Sequence, residues 1–160
     1  MPARQVDPDS LGFLVTDLSR LLRAEIDRRT SEAGVGLTPG EARTLMHAAR
    51  AGPVRQNALA ERMGVEAMTL SAYRDRLEAA GLIERQPDPQ DRRAKIVCLA
   101  EAAGPVIDRI VPVAAAIRAE ASRGIPAREW EHLLDLLKRT RRNLMAERAK
   151  AVRAGKGGAS

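Results

Sequence analysis

The sequence predicts a mainly α-helical chain with one small β-hairpin, and three observations carry that prediction. Apolar residues recur at helical spacing over most of the chain. Two short helical patterns, Gln56 to Met63 and about Ala67 to Ala80, are separated only by a tight turn at Gly64. After a helix stop at Gly81, two short apolar strands, Leu82-Ile83 and Ile96 to Leu99, flank a polar loop carrying Asp91-Arg92-Arg93. Two close helices followed by such a hairpin are the plan of a winged helix-turn-helix. One helix fits the DNA major groove, and the hairpin wing reaches the backbone or the neighbouring minor groove.

Residues 1–9 are polar, contain Pro2 and Pro8, and read as a flexible tail. From Ser10, the positions Leu11, Leu14, Val15, Leu18, Leu21, Leu22 and Ile26 keep helical spacing, with Asp9 or Ser10 as the cap and an end near Gly34-Val35-Gly36. Three start signals then agree: Thr38 caps, Pro39 takes the first helical position, and Glu41 closes a capping box. Ala42, Leu45, Met46 and Ala49 are expected to face inward, and Gly52-Pro53 ends that helix.

In the next helix Leu59 and Met63 point inward, Gly64 supplies a positive φ, and Val65 plugs the corner. The helix after it buries Leu70, Tyr73 and Leu77. At about 100° per residue its opposite face carries Met68, Ala72, Asp75 and Ala79, with Thr69, Ser71 and Arg76 on the flanks. Glu101 to Ser122 reads as a long helix through Val106, Ile107, Ile110, Ala114 and Ile117, with a kink expected at Pro112. Ile125-Pro126 starts a last helix with Trp130, Leu133, Leu134, Leu137 and Leu144 on one side, and 153–160 reads as a second flexible tail.

A chain of 160 residues suits one domain, with or without a terminal extension. Apolar residues make up 44% and aromatics only 2%, so the core must be built from Leu, Ile, Val, Met and Ala. No apolar run approaches the roughly 20 residues of a membrane span, the N-terminus has no signal-peptide pattern, and one cysteine excludes an internal disulfide. These features point to the cytoplasm and to no membrane partner. The net charge of +6 is concentrated late: Lys138 to Lys156 holds eight basic residues and one acid, whereas Val54 to Leu99 holds eight basic and seven acidic. The basic run, including Lys138, Arg139, Arg141, Arg142, Arg148, Lys150 and Arg153, reads as a solvated helix face. A DNA argument must therefore rest on placement, not on total charge.

Four segments resemble the MarR (multiple antibiotic resistance regulator) family: Leu37-Thr38-Pro39, Leu59 to Val65, Leu77 to Arg85, and Pro87 to Lys95. The likeness runs from about Leu37 to Gly104. It implies a homodimer whose first and last helices pack across a two-fold axis, with 10–36 and 101–152 as the helical dimerisation region and 37–100 as the winged helix-turn-helix. The broad apolar faces of both terminal helices agree with that independently. Two-fold symmetry would set two recognition helices about one helical turn apart on a pseudo-palindromic operator.

The resemblance also implies roles. In the family's Asp-x-Arg wing the acid holds an Arg that enters the minor groove, and Asp91 and Arg93 match that arrangement. Arg suits a narrow A·T-rich groove because negative potential concentrates there and guanidinium sheds water readily. Arg92 and Lys95 would lie near phosphates. Met68, Thr69, Ser71, Ala72 and Arg76, with Gln56 from the preceding helix, are the candidates for base and phosphate contact.

This chain departs from the family pattern in places. Ala72 stands where a long polar residue is common, Glu66 replaces a Ser/Thr cap, and Arg74 occupies a usually aliphatic inward position. Arg74 must snorkel, pair, or accompany a slight rotation of the helix. Family members often bind small aromatic or phenolic carboxylates, and Arg20, Arg43, Met46 and His47 are the candidate lining for a small-molecule effector. Ordinary packing is the competing reading for each. Cys98 reads as a buried, inert thiol, and the first helix has no cysteine of the peroxide-sensor type. His47 and His132 lack neighbours for a metal site, and no cofactor or catalytic constellation is evident. The expected function is a non-enzymatic, homodimeric, sequence-specific regulator of transcription that acts on double-stranded DNA, usually as a repressor. The alternative is a winged-helix protein-interaction module without specific DNA binding.

Overall fold

The computed structural model describes residues 7–157, and the chain forms two compact units, residues 1–117 and 118–160. The tails expected at 1–9 and 153–160 fall partly outside the described residues.

In the first unit, α1 (Leu11–Glu32) starts at Ser10, whose side chain makes no cap bond, and ends at Ala33 before Gly34 turns with φ +59°. Next, α2 (Pro39–Ala51) carries the expected capping box: Glu41 N donates to the Thr38 hydroxyl at 3.4 Å, and Thr38 N donates to Glu41 Oε2 at 2.9 Å. A two-residue strand, β1 (Val54–Arg55), follows and was not legible beforehand. Then α3 (Gln56–Met63) ends at Gly64, left-handed at φ +64°, and leads into α4 (Ala67–Ala79). Two longer strands complete the sheet, β2 (Ile83–Asp88) and β3 (Asp91–Leu99).

The sheet is antiparallel, ordered β1-β3-β2, with Val54 opposite Val97 and Ile83 opposite Leu99. Two expectations about it are corrected. The hairpin belongs to a three-stranded sheet. Asp91-Arg92-Arg93 is part of β3, and the turn is Pro89-Gln90. Strand pairing runs through the polar residues because β2 is buried only at its ends, so the charged side chains in its middle cost little desolvation.

The core joins helices and sheet: Leu45, Leu59, Met63, Leu70, Leu77, Leu82, Ile83 and Val97 are buried together, with Val65 packed at the edge. A smaller cluster, Val35, Ala42 and Ile110, has Met46 against it. Because α2 lies between the two clusters, its buried face is Glu41, Ala42, Thr44, Leu45 and Ala48, while Met46 and Ala49 are only half-buried. Tyr73 is likewise half-buried. Cys98 is half-exposed, because its neighbour Val97 faces the core and successive strand residues point to opposite faces.

The helix α5 (Ala103–Ala121) continues through Pro112, with Ala103, Ile110 and Ile117 buried and Ala114 exposed. The second unit consists mainly of α6 (Ala127–Gly157). This helix passes the expected end near 152. Along it, Leu133, Leu136, Leu137, Leu144 and Met145 are exposed, and Trp130 is half-buried.

Candidate nucleic-acid interface

Leu70 and Leu77 lock one side of α4 into the core at zero exposure, which obliges the opposite side to face outward. Met68 is 87% exposed, and Thr69, Ala72 and Arg76 are exposed with it. Ser71 is half-buried, where its hydroxyl accepts from Gln56 Nε2 at 2.7 Å. The structure thus brings Gln56 and Ser71 together as a clasp between α3 and α4. Arg74 joins the same clasp. Its Nη1 donates to Gln56 Oε1, and its Nε and Nη2 donate to Asp75 Oδ1 at 3.1 and 2.6 Å. Its side chain, only 14% exposed, is therefore buried by pairing.

The N-terminus of α2 sets the seat of α4. A Cβ on Gly40 would lie 2.3 Å from the Tyr73 ring, so any other residue there would force the ring to move from its seat against α2. Beside it, Arg76 Nη1 donates to Glu41 Oε1 at 3.3 Å. Burial pushes the Glu41 carboxyl up, but the bonds from the Thr38 backbone and hydroxyl and from Arg76 outweigh it, leaving the group below the ordinary glutamate range. Sequence reasoning found Glu41 as a cap but not as a partner for α4.

In the wing, Pro87 pairs with Lys95 but Asp88 pairs with Asp91. Between these pairs β2 advances one residue and β3 four, so residues 92–94 form a bulge that curls the tip. Asp91 Oδ1 accepts from the Arg93 backbone N–H at 3.0 Å, holding the main chain of Arg93 while its side chain remains exposed. Lys95 is also exposed. Arg55 Nε donates to Asp88 Oδ2 at 2.5 Å, a contact across 33 residues that periodicity could not reveal.

The four candidate ligand residues divide. Arg43, Met46 and His47 share α2, and Arg43 pairs with Asp27 of α1. Arg20 is exposed and pairs with Asp17 on its own helix, at 3.3 Å. Burial first, and then the charges of Arg50, Arg43, Arg23 and Arg62, hold His47 below the usual histidine range. Among the described residues no group of three or more His, Cys, Asp or Glu is placed to hold a metal ion, and no helix is long and apolar enough to cross a membrane.

Comparison with known proteins extends this geometry. The MarR family profile matches residues 37–95. The crystal structure of the transcriptional regulator PA3341 is 36% identical, with 86% of this chain and 99% of that one covered at a TM-score of 0.73. A probable transcriptional regulator from Pseudomonas aeruginosa is 30% identical over 82% of this chain and 97% of that one, at 0.61. CouR from Rhodococcus jostii RHA1, bound to p-coumaroyl-CoA, is 26% identical over 84% and 93%, at 0.67.

Proposed function

The chain belongs to the MarR family of transcriptional regulators, and on that premise we propose that it is a homodimeric repressor that binds a pseudo-palindromic double-stranded operator. The observation that carries this reading is the division of α4: one side is fully committed to the core, and the other offers Met68, Thr69, Ala72 and Arg76 outward. Such a face fits the major groove, where hydroxyls meet base edges and small apolar groups meet thymine methyls. Arg93 on the curled wing reaches the minor groove and Lys95 meets a phosphate, while the side chain of Arg92, expected to do the same, lies outside those described. The second copy covers the exposed apolar side chains of α1 and of α6.

A small anionic effector relieves repression in this reading. Its support is the concentration of arginine charge around His47, which favours a carboxylate or phosphate nearby, and the ligand of the similar CouR. Asp27 already neutralises Arg43, so the effector must engage the other guanidinium groups or displace that pair.

Fluorescence anisotropy tests the DNA reading, using duplexes from upstream of the protein's own gene and a scrambled control at several salt concentrations. We expect nanomolar affinity with a steep salt dependence for the wild type and at least a tenfold loss for Arg93→Ala (about 1.4 kcal/mol). Equal, weak binding of all duplexes, followed by failure to select any genomic fragment, would instead favour a winged helix that docks a protein.

A further inference from the structure

Arg55 lies outside both the recognition helix and the hairpin, yet its guanidinium faces the two acids that shape the wing. It ends β1 opposite Ile96 of β3. Its Nε donates to Asp88 Oδ2 at 2.5 Å, and its Nη2 stands 4.0 Å from Asp91 Oδ2. Asp88 is buried, and its second oxygen accepts from Gln90 N at 2.8 Å, so one carboxylate both takes the Arg55 charge and shapes the turn. The turn N–H of Gln90 and the Arg55 guanidinium hold the Asp88 carboxyl below its ordinary range, so it stays charged as a partner. Asp91 in turn holds the main chain of Arg93 at 3.0 Å. A chain of contacts therefore runs from the sheet through Arg55 to the two acids and on to the backbone of Arg93.

Resting on the DNA reading above, we propose that Arg55 is a positioning residue for Arg93, bracing the bulge so that Arg93 is presented to the minor groove before DNA arrives. A bulge of three unpaired residues is otherwise free to rearrange, and ordering it on binding would subtract from affinity. The planar fork of Arg suits the task, because it addresses two carboxylates at fixed angles as the single point charge of Lys cannot. The curl of the tip brings Asp88 and Asp91 within reach of a side chain on β1.

The test uses duplexes selected from a random-sequence library by the wild-type protein. Anisotropy then compares wild type, Arg55→Met, Arg93→Ala and the double variant, each on duplexes with A·T or G·C pairs under the wing. Arg55→Met should weaken binding about tenfold and erase the A·T preference. It should cost nothing more in the Arg93→Ala background. Additive losses, with a salt slope reduced by about one, would mean that Arg55 itself meets a phosphate and would overturn the proposal. A fall in melting temperature with the A·T preference intact would overturn it as well.

Amide exchange on the free protein supplies a readout without DNA. Gln90 and Arg93 amides should exchange faster in Arg55→Met, and unchanged rates refute the brace. A wild type that selects no duplex overturns the DNA reading and the presentation of Arg93 with it. The exchange rates then separate that failure from a failure of the brace.

Discussion

The winged module and the terminal helices use the same cation–carboxylate pairing in different ways. In α1 the pairs Arg20–Asp17, Arg28–Glu25 and Arg28–Glu32 join residues three or four apart, and in α6 Lys138–Asp135 and Lys150–Glu147 do the same. Such exposed pairs support the helix that carries them but fix nothing else, and each is weak in water. In the module, Arg76–Glu41 and Arg55–Asp88 join residues distant in sequence, and each has one partner with a nearly buried side chain. The apolar residues follow the same division. Leu70 and Leu77 have no exposure, whereas Leu18 keeps 55% and Leu144 65%. A module braced from within can hold a rigid face toward a ligand. The terminal helices rely mainly on pairs within one helix, apart from Asp27 of α1, which pairs with Arg43 of α2, and they leave large apolar side chains exposed.

The largest effect expected from this contrast lies in the core. Leu70→Ala should lower unfolding free energy by about 2–5 kcal/mol in a urea titration, because it empties a fully enclosed site. The same truncation at Leu18, measured in the monomer, should cost far less. Comparable losses at the two positions would erase the distinction between the regions.

A second experiment sharpens the role of the outward faces. Leu18→Glu should weaken self-association at least tenfold, about 1.4 kcal/mol, in sedimentation equilibrium, since a charge at an apolar contact must be desolvated. An unchanged dimer constant would place the interface elsewhere.

The smallest effect concerns the long-range ion pair. Glu41→Gln should cost about 1 kcal/mol near neutral pH, since an amide can retain the cap but not the charge opposite the largely exposed Arg76. The pH dependence has a definite sign. Glu41 has a depressed native pKa, so its stabilisation is present above the unfolded value of about 4.5 and is lost as pH falls through the native one. Wild type and variant should therefore differ at pH 6 and converge in strong acid. A constant difference across that range would remove the charge from the explanation.

Much of this architecture was legible because it is local. The capping box at Thr38 and Glu41, the left-handed Gly64 and the inward Leu59, Leu70 and Leu77 all follow from spacings of three or four residues or from one residue's allowed φ. The outward residues of α4 followed from the inward ones. The boundaries of the wing were less legible, because strand pairing continued through polar residues that read as a loop. Arg74 was visible as an anomaly, but its resolution by Gln56 and Asp75 needed the neighbouring helix in place.

By itself, the sequence determined the order of the helices and of the two longer strands, the capping box of α2, the turn glycine and the side of α4 that is buried, since these depend on backbone geometry within one or two turns. Only the tertiary structure decided that Gly40 admits the Tyr73 ring, that Glu41 reaches Arg76, and that Arg55 reaches Asp88. The partners in these contacts lie more than thirty residues apart, and a side chain spans only a few ångströms. They can meet only after the helices and the sheet have closed on a common core, and no local spacing encodes that closure.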